Sequence, residues 1–336
     1  MKIKRYIMPK TLVYSGKHKQ EETKIRHFLY NEKDVFETND MKRKEGYKSY
    51  IQVIGLADEN VIQSIKSIYS VDDLIIEDIL NVSQGVKIDC LDKYLFCVVH
   101  SLFKLNKTFQ KEYMSMICFE NTVISFHEQN PWYLEGSIDY IQHYPDIRTK
   151  SSDYLFYHIL DFITDNHIDI FNELNMVINE FEDVSLNEQI LPQESFYRVR
   201  KTFIQLKNNV YYLLIALQDL MKKNHQIIKE DSVEYFHDLM DHLYRLDGQI
   251  NLSRDNLKNL VDVNMNNQNN RMNQIMTTLT LFSAIFIPLS FFTGFFGMNF
   301  VHFEILTYPY AVGMFVGFCM LLIGFMIWLF KHKKWL

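Results

Sequence analysis

The stretch Pro288-Leu289-Ser290-Phe291-Phe292-Thr293-Gly294-Phe295-Phe296-Gly297-Met298-Asn299-Phe300 closes one of only two membrane-length apolar segments in this chain. A glycine and an asparagine end an uncharged helix there, a few residues before the chain turns back into the bilayer. A polar amide is thereby set at the mouth of whatever the helix lines, which points to an ion pathway rather than an anchor.

The membrane reading rests on gaps in charge. No Lys, Arg, Asp or Glu occurs from Met272 to Phe303, and none from Ile305 to Phe330. About 20 mostly apolar residues cross about 30 Å of hydrocarbon, so residues 275–296 and 308–330 each suffice. The mean hydropathy of -0.13 hides these spans, because the preceding residues read as a soluble protein. Arg271 precedes the first span, Lys331, Lys333 and Lys334 follow the second, and the connecting loop has no Lys or Arg. Positive flanks stay cytoplasmic, so a multi-pass plasma-membrane protein with both termini in the cytosol is expected. Lys2, Lys4 and Arg5 have no apolar run behind them, so no cleavable signal is expected. The four cysteines, Cys90, Cys97, Cys118 and Cys319, form no CxxC pair, which argues against a disulfide framework or a zinc cluster.

Upstream, glycine and proline divide the chain. Short β-rich runs at 11–14, 49–54, 94–103, 113–119 and 122–127 alternate with helical patterns at 61–69 and 72–80, predicting a mixed α/β domain over residues 1–150. Glycine is then absent until Gly248. Long helices follow, broken near 185–192 and 229–232: a cytosolic hairpin over 151–230 and a stalk over 231–274. Leu239, Leu243, Leu246, Ile250, Leu257 and Val261 step mostly by three and four, a coiled-coil-like seam, although an ordinary amphipathic helix packed on its own domain has the same periodicity. No strong stop precedes the membrane, so stalk and first span (275–299) read as one helix. An external loop (300–307), a second span (308–330) and a basic tail (331–336) complete the chain.

Within the first span, Asn273, Met276, Thr280, Ser283, Ile287, Ser290 and Gly294 are spaced alternately three and four apart. One stripe thus collects nearly all the small and polar residues of the span. Such stripes often serve helix packing. With Asn299 at one end and the Asn-rich run 264–273 at the other, a wetted stripe is the better account, since uncharged polar groups suit a hydrated ion.

Gly297-Met298-Asn299, Ile287-Pro288-Leu289-Ser290 and the closing Lys333-Lys334-Trp335-Leu336 resemble the CorA family of magnesium transport proteins. Residues 74–81, 153–155, 238–242 and 273–280 also look like family blocks. The resemblance implies a funnel-shaped homopentamer, each subunit having a cytosolic α/β domain with a mixed sheet, long stalk helices and an all-α membrane domain of two spans. It implies a filter at Gly297, Met298 and Asn299, with a pore lined by Asn273, Met276, Leu279, Ile287, Ser290 and Gly294. The family favours Leu279 where the stripe has Thr280, and both stay open. Phe296, Ser290 and Thr277 stand where Tyr, Thr and Lys are common in the family. In the outer loop, His302-Phe303-Glu304-Ile305 replaces the usual Met-Pro-Glu-Leu and leaves Glu304 one residue out of register.

The resemblance also implies a cytosolic sensor in which Asp78 of one subunit faces Asp238 of its neighbour, with Glu77, Asp161, Asp165 and His242 near a second site. Read from the residues alone, Asp72 and Asp73 cap a helix N-terminus, and Asp161 and Asp165 form a like-charge i,i+4 pair. The net charge of -6 is compatible with cation sensing. Mg²⁺ is then both transported and regulatory ion, with the lipid bilayer and other copies of the chain as partners. No nucleic acid, nucleotide or organic cofactor is expected: Gly16-Lys17 lacks the neighbours of a phosphate-binding loop. The twelve His include no HExxH-like pair, which disfavours a metalloenzyme. Transport of Co²⁺, Ni²⁺ or Zn²⁺ by the same fold, and a membrane-tethered scaffold, are the alternatives.

Overall fold

The computed structural model describes residues 13–105, 108–187, 189–298, 308–333 and 335. Asn299, Glu304 and the first two residues of the expected strand at 11–14 lie outside these. Val13 and Tyr14 are not in a strand.

The N-terminal part is built on a seven-stranded sheet: β1 (Lys24–Tyr30), β2 (Val35–Thr38), β3 (Lys48–Ile54), β4 (Lys87–Leu91), β5 (Tyr94–Leu105), β6 (Thr108–Phe119) and β7 (Thr122–His127). The strand order is β2-β1-β3-β7-β6-β5-β4. Only β3 and β7 pair in parallel, Ile51 opposite Ile124. A parallel neighbour needs a crossover, and it contains α1 (Glu59–Tyr69) and α2 (Asp73–Leu80). These helices cover one sheet face, where Ile62, Ile65, Ile76 and Ile79 join Ile51, Val53, Phe96, Ile117, Ile124 and Phe126 in a single apolar core. The central strands are buried on both faces. The polar side chains of the second face therefore bond one another: Gln52 Nε2 donates to Tyr50 Oη at 3.1 Å, and His127 Nε2 lies 2.9 Å from Ser125 Oγ.

Glu112 on β6 is buried too, and its Oε1 has no hydrogen-bond partner among the described residues. Desolvation, helped by nearby Glu128, pushes its pKa from 4.5 up to about 8. The folded carboxyl thus holds its proton where the unfolded one has lost it. Stability is fully present below about pH 4.5 and falls as pH rises towards 8. Glu112→Gln is expected to raise the melting temperature at pH 8 but not at pH 4, read by thermal unfolding of the detergent-solubilised chain. An equal shift at both pH values would contradict the assignment.

Two short helices, α3 (Glu135–His143) and α4 (Pro145–Thr149), precede the long ones: α5 (Ser152–Leu186), α6 (Gln193–Lys223), α7 (Glu230–Phe296) and α8 (Ala311–His332). The chain divides into two compact units. The first holds the sheet, α1–α4, most of α5, all of α6 and α7 as far as Lys258. There the expected seam turns out to be internal. Leu239, Leu243, Leu246, Ile250 and Leu257 are buried within a single chain, and Leu260 is buried where Val261 was expected. Their surroundings are this chain's own α5 and α6: the Phe236 ring lies 6.5 Å from that of Phe156 in a tilted pair, Lys207 Nζ donates to Asn251 Oδ1 at 2.6 Å, and Ser253 Oγ donates to Asn175 Oδ1 at 2.8 Å. The amphipathic-helix alternative accounts for the periodicity.

The second unit comprises residues 182–191 and 259–336. Asn264 Oδ1 accepts the Leu191 N–H at 3.0 Å and Asn267 Nδ2 donates to the Ser185 carbonyl at 2.9 Å. Part of the Asn-rich run therefore ties down the connection between α5 and α6 rather than wetting a pore mouth.

Candidate functional site

The first span is the C-terminal part of α7, a helix of 67 residues with Pro288 inside it. Proline removes one donor from the i to i−4 ladder. Hydroxyls on the same span bond backwards to carbonyls: Thr280 Oγ1 to Met276 O at 2.7 Å, and Thr293 Oγ1 to Leu289 O at 2.9 Å. That is the cheapest way to satisfy a hydroxyl where hydrocarbon offers no partner.

The partly buried positions of the span include Leu281, Ile285, Pro288, Leu289, Phe292 and Phe296. They recur every three to four residues and mark the face covered by α8, with Phe292 5.2 Å from Phe318 and Phe296 5.0 Å from Phe315. At 3.6 residues per turn, the stripe centred on Met276, Thr280, Ser283, Ile287, Ser290 and Gly294 lies roughly half a turn from that face, and of these six only Ser283 is itself partly buried. Met276, Leu279 and Ile287 are 57%, 67% and 68% exposed, although all three are apolar. A Cβ built on Gly294 would meet nothing within 4 Å among the described residues, whereas one on Gly297 would meet Thr293 O at 3.0 Å. Packing within the chain thus constrains Gly297 and leaves Gly294 unexplained. Asn273 departs from the stripe. It lines a polar groove of about 500 Å³ with Gln274, Thr277 and Trp335, nearer the α8 side. Gly297 and Met298 are exposed at the helix end.

In the first unit, Asp161 and Asp165 on α5 meet Asp238 and His242 on α7. His242 Nδ1 is 3.9 Å from Asp161 Oδ1, and its Nε2 is 3.8 Å from Asp238 Oδ2. Asp161 Oδ1 is buried without a hydrogen-bond partner among the described residues. Burial raises the pKa of Asp161, Asp165 adds to the rise, and burial raises Asp165 likewise. Each shift is a cost of holding negative charge that a divalent cation would relieve. Carboxylate oxygens are the ligands Mg²⁺ takes, so the donor set fits that ion. Within one chain, however, no group of three or more His, Cys, Asp or Glu among the described residues is arranged to hold a metal.

Asp78 and Glu77 sit apart, on α2. Asp78 is already paired: Lys87 Nζ lies 2.7 Å from its Oδ2, Gln84 donates to its Oδ1, and the same Lys87 reaches Asp89 at 2.5 Å. Lys87, nine residues on and in β4, is a site residue that sequence reasoning missed. Only the strand that follows α2 brings it back. The capping expectation also needs correcting. Asp72 occupies the N-cap of α2 without a side-chain cap bond, its Oδ2 accepting instead from Tyr94 Oη at 2.6 Å, while Asp73 pairs with Lys66.

Two helices, α7 and α8, are long and apolar enough to cross a membrane. The chain is 27% identical over 345 residues to the cobalt/magnesium transport protein CorA of Thermotoga maritima, covering 99% of this chain and 98% of that one. Its fold matches the complete structure of the CorA magnesium transporter from Methanocaldococcus jannaschii with a TM-score of 0.78 at 18% identity, over 93% and 98% of the two chains. It also matches full-length CmaX with a TM-score of 0.74 at 14% identity, over 96% of this chain and 100% of that one. The model of the CorA-like Mg²⁺ transporter proteins matches residues 50–332. The chain therefore belongs to the CorA-like Mg²⁺ transporter family, membrane proteins that carry divalent cations.

Proposed function

We propose that this protein is a channel-like Mg²⁺ uptake system of the plasma membrane, gated by cytosolic Mg²⁺ bound between subunits. The observation that carries the reading is the uncharged stripe of α7 on the face away from α8. Two helices cannot enclose a conduit, so several copies must surround one. A cyclic homopentamer, as the family resemblance implies, turns the five stripes inward and leaves α8 at the periphery. The basic flanks of both spans set the termini and the α/β domain in the cytosol.

The chemistry suits a hydrated ion. Mg²⁺ dehydrates reluctantly and demands tight octahedral geometry. A ring of Asn299 amides at the outer mouth can hold it through its waters, with Gly297 and Met298 setting the turn and Glu304 beyond. No carboxylate lies on the stripe, so no bare cation is bound along it. Inward passage of a divalent ion gains about 4.6 kcal/mol per 100 mV of membrane potential, which needs no ATP.

Met276, Leu279 and Ile287 supply apolar rings that exclude water when the helices close, a dewetting gate. Leu279→Ser or Met276→Ser is expected to leak Mg²⁺ under conditions that close the parent, measured with a Mg²⁺-sensitive dye in liposomes. If both variants close as tightly as the parent, the constriction lies elsewhere. The ion itself is tested by the same assay with Mg²⁺, Co²⁺, Ni²⁺ and Zn²⁺ in turn. Mg²⁺ flux supports the reading, and flux of the transition metals alone contradicts it.

A further inference from the structure

We propose that three turns at one end of the cytosolic sheet form a binding site for a small anion carrying two or more phosphoryl groups, such as a nucleoside polyphosphate. The N-terminal ends of β3, β5 and β7 lie at the same end of the sheet, because β3 and β7 are parallel and β6 runs antiparallel to both β5 and β7. This brings together the connection before β3, the β4–β5 turn and the β6–β7 turn. Between them is a concavity of about 580 Å³, bordered by Arg43, Lys44 and Lys93. Its volume falls within the usual range of small-molecule sites.

Its charge runs against that of the whole chain, which is -6. Arg43, Lys44 and Lys93 are exposed, and none is ion-paired among the described residues. Of the two glutamates on the rim, Glu120 is taken up by Lys229 at 3.6 Å, leaving Glu45 as the opposing charge. Aromatic faces hold the cations without neutralising them. The Arg43 guanidinium lies 4.4 Å over the Tyr69 ring, and Lys44 Nζ lies 4.1 Å over Tyr47 and 4.9 Å over Phe36. A cation held on a ring keeps its donors free for an anion. Phosphoryl oxygens match this set because Arg and Lys bind them through several charge-assisted hydrogen bonds. Tyr47 and Phe119 are half-buried in the lining, Phe36 packing on the first ring and Tyr69 and Tyr94 on the second. A glycine-rich loop is not needed for such a site. The proposal thus departs from the expectation of no nucleotide partner, which rested on the lack of a phosphate-binding loop. The proposal is independent of the transport reading.

The test is calorimetric titration of the full detergent-solubilised chain, in Mg²⁺-free buffer at low salt, with ATP, inorganic pyrophosphate and adenosine. ATP and pyrophosphate are expected to bind with Kd below about 1 mM and adenosine not to bind in that range. Tighter binding of ATP than of pyrophosphate assigns a role to the rings, and equal binding assigns the site to phosphoryl groups alone. Arg43→Ala with Lys93→Ala is expected to weaken both by at least about tenfold, the loss of charge-assisted hydrogen bonds. Lys93→Arg should keep the affinity. Both positions are exposed, so the fold is retained, and an unchanged melting curve checks this. Failure of both anions to bind, or binding by the double variant equal to the parent's, would overturn the proposal.

Discussion

Asn299→Ala is expected to abolish Mg²⁺ uptake while leaving a folded, membrane-inserted oligomer. The residue lies four positions before the end of the charge-free segment that runs from Met272 to Phe303, and the stripe offers no carboxylate to take over its role. In a ring of five copies, each alanine removes one amide that would hold the ion's water shell. At about 1 kcal/mol for each hydrogen bond lost, the combined effect reaches several powers of ten in ion occupancy. Core packing loses little, because Gly297 and Met298 beside it are exposed. The check is dye-reported flux into liposomes, paired with size analysis of the purified oligomer. Parent-like flux from an intact Asn299→Ala oligomer would remove the filter from this position.

The second large effect concerns the sensor. Two bare carboxylates 4 Å apart repel by up to about 4 kcal/mol at an effective dielectric of 20. Asp78 is not bare, because Lys87 lies 2.7 Å from it. At the proposed boundary between Asp78 and a neighbour's Asp238, repulsion would therefore be weaker than between two free charges, and Mg²⁺ would compete with an ammonium already in place. Asp78→Asn with Asp238→Asn is expected to abolish Mg²⁺-dependent protection of α7 from protease. Lys87→Met is expected to act in the opposite sense, moving the protection midpoint to about tenfold lower Mg²⁺, the worth of one charge-assisted contact. Limited proteolysis across a Mg²⁺ titration reads both. Unchanged protection in the double Asn variant would exclude the sensor, whereas an unmoved midpoint in Lys87→Met would exclude only the competition.

Much of the fold is legible in the residues. Uninterrupted apolar composition marks the two spans, and the lack of a stop signal makes α7 continuous through residues 230–296. Strands β3, β5, β6 and β7 announce themselves because they are central and rich in β-branched and aromatic side chains. The edge strands β2 and β4 and the neighbouring β1 do not: Lys24–Tyr30 carries Lys, Arg and His among its apolar residues, and Lys87–Leu91 alternates charge with Ile and Cys. The α7 seam is visible as a period, but periodicity cannot say whether α5 and α6 or another chain fills it. The uncharged stripe of the first span follows from helical spacing alone, and the structure adds that α8 packs on the other side of the helix. Lys87 beside Asp78 is of another kind. That pair depends on how β4 returns past α2, and no local spacing records it.

The central claim is electrogenic entry of Mg²⁺ along the α7 stripe, and voltage-dependent flux tests it most directly. Purified protein in liposomes, with no nucleotide present, would be exposed to external Mg²⁺ at a series of inside-negative potentials. Accumulation is predicted to rise about tenfold for every 30 mV or so, as two charges crossing the full field require. Mg²⁺ uptake that ignores the potential, or no uptake at any potential, would contradict it.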